Sequence, residues 1–378
     1  MLVESGSGPG VSVPESSRVS AAQIASAATQ VPPAKRGSAK TAIAAAAFVM
    51  LVAAAFVGYR LLNRPHGLNL QNMQIAKFTD SGKAALVAIS PDRRYVAYVL
   101  HDAEQQSLWM RHVATKSDVQ VLAPDVVDFK GVTFSPDGNY LYYVRSDKTT
   151  QNYSYLYQMP VLGGNPRQLI RDIDAAVGFS PDGTQIVFIR GMPDPAEVEV
   201  HIASADGSGE HVLARLPAYA VFLSGPNWSP DGKVIAVATL QTGKEQKFVL
   251  NIIRVADANV TTLYSDAAIL GRPVWLPDGN SLLIAVGMPK ENRAQIWEIP
   301  YPKGEPRRFT NDLSNYSLYL DLSRDGRMLV ALDNTQISNI WIAPGEKAYQ
   351  ARQITSCWCV AEAVNWILSM RMGARGPP

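Results

Sequence analysis

Val132-Thr133-Phe134-Ser135-Pro136-Asp137-Gly138-Asn139-Tyr140-Leu141-Tyr142-Tyr143-Val144 reads as one tight turn between two strands, and its recurrence decides the fold. Proline pre-sets φ at the second position of a type I turn, and Ser and Asp side chains accept hydrogen bonds from the turn's own backbone. Glycine follows where the chain needs positive φ, as in hairpins that add a bulge to a type I turn. The flanking residues are apolar, β-branched or aromatic, in alternating and continuous runs, as expected of strands packed between neighbouring layers.

The same phrase occurs along most of the chain. It stands as Ser90-Pro91-Asp92-Arg93, Ser135-Pro136-Asp137-Gly138 and Ser180-Pro181-Asp182-Gly183, then as Ser229-Pro230-Asp231-Gly232, Leu276-Pro277-Asp278-Gly279 and Ser323-Arg324-Asp325-Gly326. The first positions are 45, 45, 49, 47 and 47 residues apart. A period in the forties built from short strands is the signature of propeller blades. Three copies depart from the pattern: Arg93 replaces glycine, Leu276 replaces serine and Arg324 replaces proline. Arg93 implies either a strained positive φ or a different turn.

Each unit offers a third strand: Leu108-Trp109-Met110, Tyr155-Leu156-Tyr157, Val200-His201-Ile202, Leu250-Asn251-Ile252, Ile296-Trp297-Glu298-Ile299 and Ile340-Trp341-Ile342. A fourth follows a polar or Gly-containing turn, as in Arg167-Gln168-Leu169-Ile170 or Arg307-Arg308-Phe309-Thr310. Four strands per unit make a propeller blade. The expectation is an all-β propeller of six recognisable blades over 72–356, preceded by one transmembrane helix.

Closure of the ring is the open question. Met73 to Thr79 (MQIAKFT) resembles a fourth strand, as if the N-terminal strand completed the last blade, yet Arg352-Gln353-Ile354-Thr355 already supplies one for unit six. Residues 357–378 form an atypical tail with no further Pro-Asp-Gly phrase and an ending, from Met370 on, that does not read as strand. One reading is six blades with a redundant strand. The other, favoured by the missing phrase, is an incomplete seven-bladed ring left open by a truncation or frameshift.

Residues 1–40 are rich in Ser, Ala, Gly, Val and Pro without an aromatic, a composition that cannot offset its ordering entropy, and read as a disordered cytoplasmic tail. Thr41 to Tyr59 carries no charge, and 41–62 is long enough to cross a bilayer as a helix. A cleaved signal peptide would have a shorter apolar core nearer the start. Lys35, Arg36 and Lys40 before the run, against Arg60 and Arg64 after it, place the tail in the cytoplasm and the propeller outside the cell membrane, in the periplasm. Residues 63–71 form a linker.

Several chemistries find no support in the sequence. A net charge of +2 over 378 residues gives no electrostatic footprint for nucleic acid. Cys357 and Cys359, one residue apart, read as incidental thiols. There is no Gly-x-Ser-x-Gly elbow, no His-Glu-x-x-His and no phosphate loop at Asp206-Gly207-Ser208-Gly209. His101 and His112 sit close enough in sequence to meet in the first blade, but surface positions are the simpler reading. The turn residues Asp92, Asp137, Asp182, Asp231, Asp278 and Asp325, with Gly138, Gly183, Gly232, Gly279 and Gly326, have a structural role that makes a ring of metal ligands unnecessary. Trp228 and Trp275 before the phrase, and Trp109, Trp297 and Trp341 in third strands, point to blade packing. No catalytic, cofactor-binding or metal residue is assigned, no cofactor is expected, and the chain reads as a non-enzyme.

The phrase, its aromatic strands and the trailing Leu/Ile-Thr strand resemble the WD40-like repeats of TolB-type propellers, over about residues 70 to 356. Gln106-Ser107-Leu108-Trp109, Val113-Ala114-Thr115 and Pro160-Val161-Leu162-Gly163-Gly164 are similar to a bacterial group in which a serine/threonine kinase domain, or a winged helix as in CadC-like regulators, precedes one transmembrane helix and an exported propeller. That resemblance implies a sensor region. No His-Arg-Asp loop or Asp-Phe-Gly is present, and forty residues leave no room for a winged helix, so neither activity carries over. The expected function is a non-catalytic, membrane-anchored sensor or scaffold that binds a protein, peptide or envelope ligand through loops at one end of the ring. The alternatives are a sensor fragment working with a cytoplasmic kinase or regulator, and an accessory propeller of a prolyl-oligopeptidase-like hydrolase.

Overall fold

The computed structural model describes residues 48, 50, 73–79, 81–147, 153–219, 224–243, 247–288, 291, 293–334, 341–342, 352–353 and 365–370. Phe48 and Met50 are helical; the rest of the expected membrane helix, the tail over 1–40, the linker and both cysteines lie outside the described residues. Among the described residues no helix is long and apolar enough to cross a membrane.

From residue 73 onward the structure is all strand. The first sheet runs β2 (Ala84–Ile89), β3 (Tyr95–Asp102), β4 (Gln105–His112) and β5 (Asp118–Asp125), each antiparallel to the next. The second repeats this with β6 (Val127–Phe134), β7 (Tyr140–Asp147), β8 (Ser154–Pro160) and β9 (Arg167–Arg171). The third has β10 (Gly178–Phe179), β11 (Gln185–Met192), β12 (Glu197–Ser204) and β13 (His211–Leu216). In the fourth and fifth sheets the inner strand is split in two. The fourth holds β14 (Ala218–Tyr219), β15 (Asn227–Trp228), β16 (Val234–Gln241), β17 (Lys247–Arg254) and β18 (Val260–Asp266). The fifth holds β19 (Ile269–Leu270), β20 (Val274–Trp275), β21 (Ser281–Met288), β22 (Arg293–Pro300) and β23 (Arg307–Arg308). These five blades are each made from consecutive strands.

A sixth four-stranded sheet combines both ends of the chain. Its inner pair, β24 (Tyr316–Leu322) and β25 (Met328–Asp333), follows the last turn phrase pattern. The third strand is β28 (Asn365–Met370), and β1 (Met73–Thr79) lies outermost. The expected third and fourth strands instead pair with each other, as β26 (Trp341–Ile342) and β27 (Arg352–Gln353), in a separate two-stranded sheet. The atypical tail thus supplies a strand, which ends at Met370, where the sequence ceases to read as strand. The physical reason is that β25 needs a partner along its outer edge, and Asn365-Trp366-Ile367-Leu368 offers a strand of the same character as Asn339-Ile340-Trp341-Ile342.

Blade faces alternate with period two, so adjacent residues on a middle strand pack against opposite neighbours. Tyr143 packs with Leu108 and Phe129 between sheets one and two, whereas Tyr142 packs with Ile186 and Phe188 between sheets two and three. Ile235 and Val200 join sheets three and four, Ala236 and Ile284 join four and five, and Leu283 and Leu329 join five and six. Val87, Ile89 and Val96 of the first sheet meet Val330 and Leu332 of the sixth. Six apolar interfaces therefore close the ring, against the expectation of an open seven-bladed propeller.

The turn phrases have the geometry their residues imply. The fourth residue donates its N–H to the first residue's carbonyl in every copy, at 2.8–2.9 Å, and lies at φ between +64° and +74°. Arg93 holds this conformation at φ +64°, so the strained alternative is the one realised. Its side chain pairs with Asp325 of the sixth unit (Nε to Oδ2, 3.1 Å), across the seam where the ring closes. The left-handed conformation costs a non-glycine residue roughly 1 kcal/mol, and a half-exposed ion pair returns about 0–1 kcal/mol. Arg93→Gly should therefore leave stability within about 0.5 kcal/mol of the parent, whereas Arg93→Ala, which keeps the strain and loses the pair, should fall about 1 kcal/mol below Arg93→Gly. Urea unfolding of both variants checks this; equal stability of the two would refute it.

Candidate functional site

The inner strands of all six sheets converge on one cavity of about 320 Å³, beside the turn phrases. The residue just before each phrase forms the wall: Ile89, Phe134, Phe179, Trp228, Trp275 and Leu322. Two positions before the phrase stand Thr133, Gly178, Asn227, Val274 and Asp321. The rim is built from Pro91, Pro136, Pro181, Pro230 and Pro277, with Arg324 in the sixth place. Trp228 and Trp275 serve both packing and cavity: each is buried, with its indole N–H on the Gly232 and Asn227 carbonyls respectively.

Behind this wall the blades approach very closely. A Cβ on Gly131 would stand 2.3 Å from Ala176 Cα, one on Gly225 2.2 Å from the Ala176 carbonyl oxygen, and one on Gly271 2.4 Å from the Leu318 carbonyl oxygen. These contacts admit only glycine, and the backbones of different blades meet there directly. Arg272 lies in this layer, four residues before its phrase, where the other units carry Leu86, Gly131, Ala176, Gly225 and Tyr319. It is 5% exposed, and its Nη2 donates to the Val177 carbonyl of the third sheet at 3.0 Å. Nε is sealed without a partner; Nη1 also makes no hydrogen bond but is not sealed from solvent.

Asp321 is the second charge. Its Oδ2 accepts the Ile89 N–H at 2.9 Å, tying the sixth sheet to the first. Burial pushes its carboxyl above the usual range, opposed by the Arg272 guanidinium and by the Ile89 and Leu322 N–H groups. Burial likewise pulls the Arg272 guanidinium down, with Asp321 opposing. The two groups feel each other without closing a direct ion pair. Arg324 is exposed at the rim and has no partner among the described residues.

The six turn aspartates all sit at the turn end of their blades, each with Oδ1 accepting the N–H two residues on, at 3.0–3.1 Å. The cavity-lining serines are committed as well: the hydroxyls of Ser180, Ser229 and Ser323 donate to Asp182, Asp231 and Asp325 at 2.6–2.7 Å. His101 and His112 do not come together. His101 lies opposite Gln106 and Tyr95 opposite His112, so the two histidines are six residues apart along the ladder, about 20 Å. Among the described residues no group of three or more His, Cys, Asp or Glu is placed to hold a metal ion.

The sequence singles out Arg324 only as a departure within its turn, and Arg272 and Asp321 not at all. The signal was there in the repeat. Aligning the units on their phrases puts Arg272 in a column of small or apolar residues plus Tyr319, and Asp321 in a column with Ala88, Thr133, Gly178, Asn227 and Val274.

The turn carboxylates give a pH signature. Burial works to raise Asp92, but the Ser90 hydroxyl, the Arg94 N–H and the Arg94 guanidinium outweigh it and bring the group to about 2. Asp137 and Asp231 are lowered in the same way, burial being overcome by Ser135 and Ser229, and Asp182 is lowered chiefly by Ser180. A carboxylate depressed in the folded state contributes stability above its unfolded pKa of about 3.9 and loses it as pH falls through the folded value. Asp321 and Asp174, raised by burial, have the opposite sign and favour the fold as pH drops towards 4. Thermal melts of the full-length protein in detergent should show maximal stability at mildly acidic pH and a steep loss between about pH 4 and pH 2. A flat profile over that window would refute it.

No family model matches the sequence. An uncharacterised protein of Agrobacterium fabrum is 30% identical over 122 residues, covering 30% of this chain and 36% of that protein, so the chain matches about a third of that relative's length. Among solved structures, a putative TolB from Agrobacterium tumefaciens is similar at a TM-score of 0.51 and 19% identity, over 63% of this chain and 87% of that one. TolB from Acinetobacter baumannii gives a TM-score of 0.44 at 19% identity, over 59% and 56%. Oligogalacturonate lyase from Vibrio parahaemolyticus, an enzyme, gives 0.49 at 11% identity, over 81% and 96%. In fold, this chain is a TolB-like β-propeller.

Proposed function

We propose that the chain is a membrane-anchored propeller that binds a protein or peptide ligand at the mouth of its axial cavity, as a sensor or scaffold, without transforming it. The observation that carries this reading is the cavity itself. Six inner strands deliver an aromatic and proline wall, and among the described residues its charged lining is Arg272, Asp321 and Arg324. Apolar walls with a few placed polar groups are the usual make-up of a ligand site. The lining hydroxyls of Ser180, Ser229 and Ser323 are spent on turn aspartates, with no histidine or lysine among the lining residues to activate them. At about 320 Å³ the cavity is at the small end of ligand sites, which suits the end of an extended chain better than a folded surface. The apolar run over 41–62 and its basic flanks support anchorage in the cell membrane with the propeller on the exported side.

Trp228 and Trp275 make the reading measurable. Short random peptides selected for binding to the full-length protein in nanodiscs should bind saturably, change tryptophan emission and be recovered intact by mass spectrometry. Peptides recovered cleaved would overturn the non-catalytic part. Selected binders that leave the emission unchanged, and still bind when the cavity is blocked by Asn227→Trp, would overturn the site.

A further inference from the structure

We propose that the floor of the axial cavity is a binding site for a carboxylate monoanion, with the Arg272 guanidinium as its receptor. This rests on the reading of the cavity as a ligand site and names the group the ligand presents there.

Arg272 is an unbalanced cation. Arg272 is 5% exposed and donates once, to the neutral Val177 carbonyl. Nε and Nη1 have no hydrogen-bond partner, and Arg272 lines the cavity. Burying a guanidinium with two idle donors is costly unless an anion or strong acceptor completes it. Asp321 does not do so: no direct ion pair forms, and its Oδ2 is held by the Ile89 N–H. The neighbouring units show that the arginine is no requirement of the packing, since the same position is Gly131, Ala176 or Gly225 elsewhere in the ring.

Charge and shape select the ligand class. The cavity's charged lining is two cations, Arg272 and Arg324, and one anion, Asp321, which sums to +1 and matches one negative charge. A phosphate dianion would overcompensate this and face Asp321. A carboxylate is planar, and guanidinium donors engage it with geometric complementarity. The ligand body would lie along Phe179, Trp228 and Trp275, and the Asn227 side-chain amide, which has no hydrogen-bond partner among the described residues, faces the same space to hold a peptide or amide group. Two sources present this chemistry: the C-terminus of an extended peptide, and a free organic acid.

The test compares ligands and variants on the full-length protein in nanodiscs, read by tryptophan emission and by melting temperature. The probes are a peptide selected as above, the same peptide amidated at its C-terminus, and N-acetyl-leucine as a free monocarboxylate. Amidation should weaken binding about 10- to 100-fold, the range set by a charge-assisted hydrogen bond. Arg272→Met should abolish the difference between free and amidated peptide while leaving amidated-peptide binding in place. If Arg272→Met does not fold, Arg324→Gln and the salt dependence of the parent supply the second readout, since removing one mouth cation should weaken the free acid more than the amide. N-acetyl-leucine binding as tightly as the peptide, with the same Arg272 dependence, supports the site with a free acid as its source; much weaker binding supports a chain terminus. Equal affinity of free and amidated peptide in the parent overturns the carboxylate site while leaving the cavity reading intact. Absence of any peptide or acid binding overturns both.

Discussion

The left-handed residue that ends each turn phrase is the constraint on which the ring depends. Its N–H closes the turn, and the proline of the preceding turn lies beside it, at a distance where even a Cβ would make only ordinary van der Waals contact. A Cβ on Gly138 would stand 3.8 Å from Pro91 Cδ, one on Gly183 3.5 Å from Pro136 Cγ, and one on Gly232 3.7 Å from Pro181 Cδ. Glycine there is called for by the positive φ of the turn rather than by lack of space. At the seam both partners of this contact are missing, because Arg324 replaces the proline and Arg93 the glycine. There the Arg93–Asp325 ion pair and the Ile89 N–H on Asp321 join the first and sixth units beside their apolar contact.

The sixth sheet shows what ring closure demands of strands. Inner strands β24 and β25 are fixed by their turn and by the blades on either side, so the edge of β25 presents a row of backbone groups that must find partners. Met328, Leu329 and Val330 lie opposite Ser369, Leu368 and Ile367 of the tail, and β1 completes the outside by pairing with the same tail strand. The Trp341-Ile342 strand has a comparable pattern and pairs instead with Arg352–Gln353. Where two segments carry the same Trp-Ile pattern, local sequence does not say which one takes the edge, because β-propensity measures fit to a half-buried pleated surface rather than to one partner.

That distinction explains what could be read from sequence. The phrase spacing predicts the number of units, the third strands of the first five and the positions of the turns, because each follows from local chemistry repeated at a fixed interval. Arg93 marked a strained turn for the same local reason. Which strands finish the last blade depends on contacts between residues near opposite ends of the chain, and no local pattern carries that. The histidines illustrate the same limit in reverse. His101 and His112 are close in sequence, yet the antiparallel register of β3 and β4 sends them to opposite ends of the ladder. The cavity charges were hidden differently. Each of Arg272, Asp321 and Arg324 is unremarkable in its own segment and becomes conspicuous only against the other five units.

Repetition and departure thus divide the work of the cavity. The residue before each phrase must be large and apolar to pack between blades, so six such residues make a wall that is hydrophobic all round. A wall of that kind has little power to orient or discriminate a ligand, since specificity needs a few polar groups at fixed places. On the proposed reading Arg272, Asp321 and Arg324 are those groups, and they stand on two of the six units, neighbours across one blade interface. The ring's pseudo-symmetry is therefore broken by residues of two adjoining units, with the Arg272 guanidinium reaching over to the Val177 carbonyl of the third sheet. On the proposed reading, a ligand there would meet these few charges at fixed places in an otherwise apolar wall, and they would orient it inside a repetitive ring.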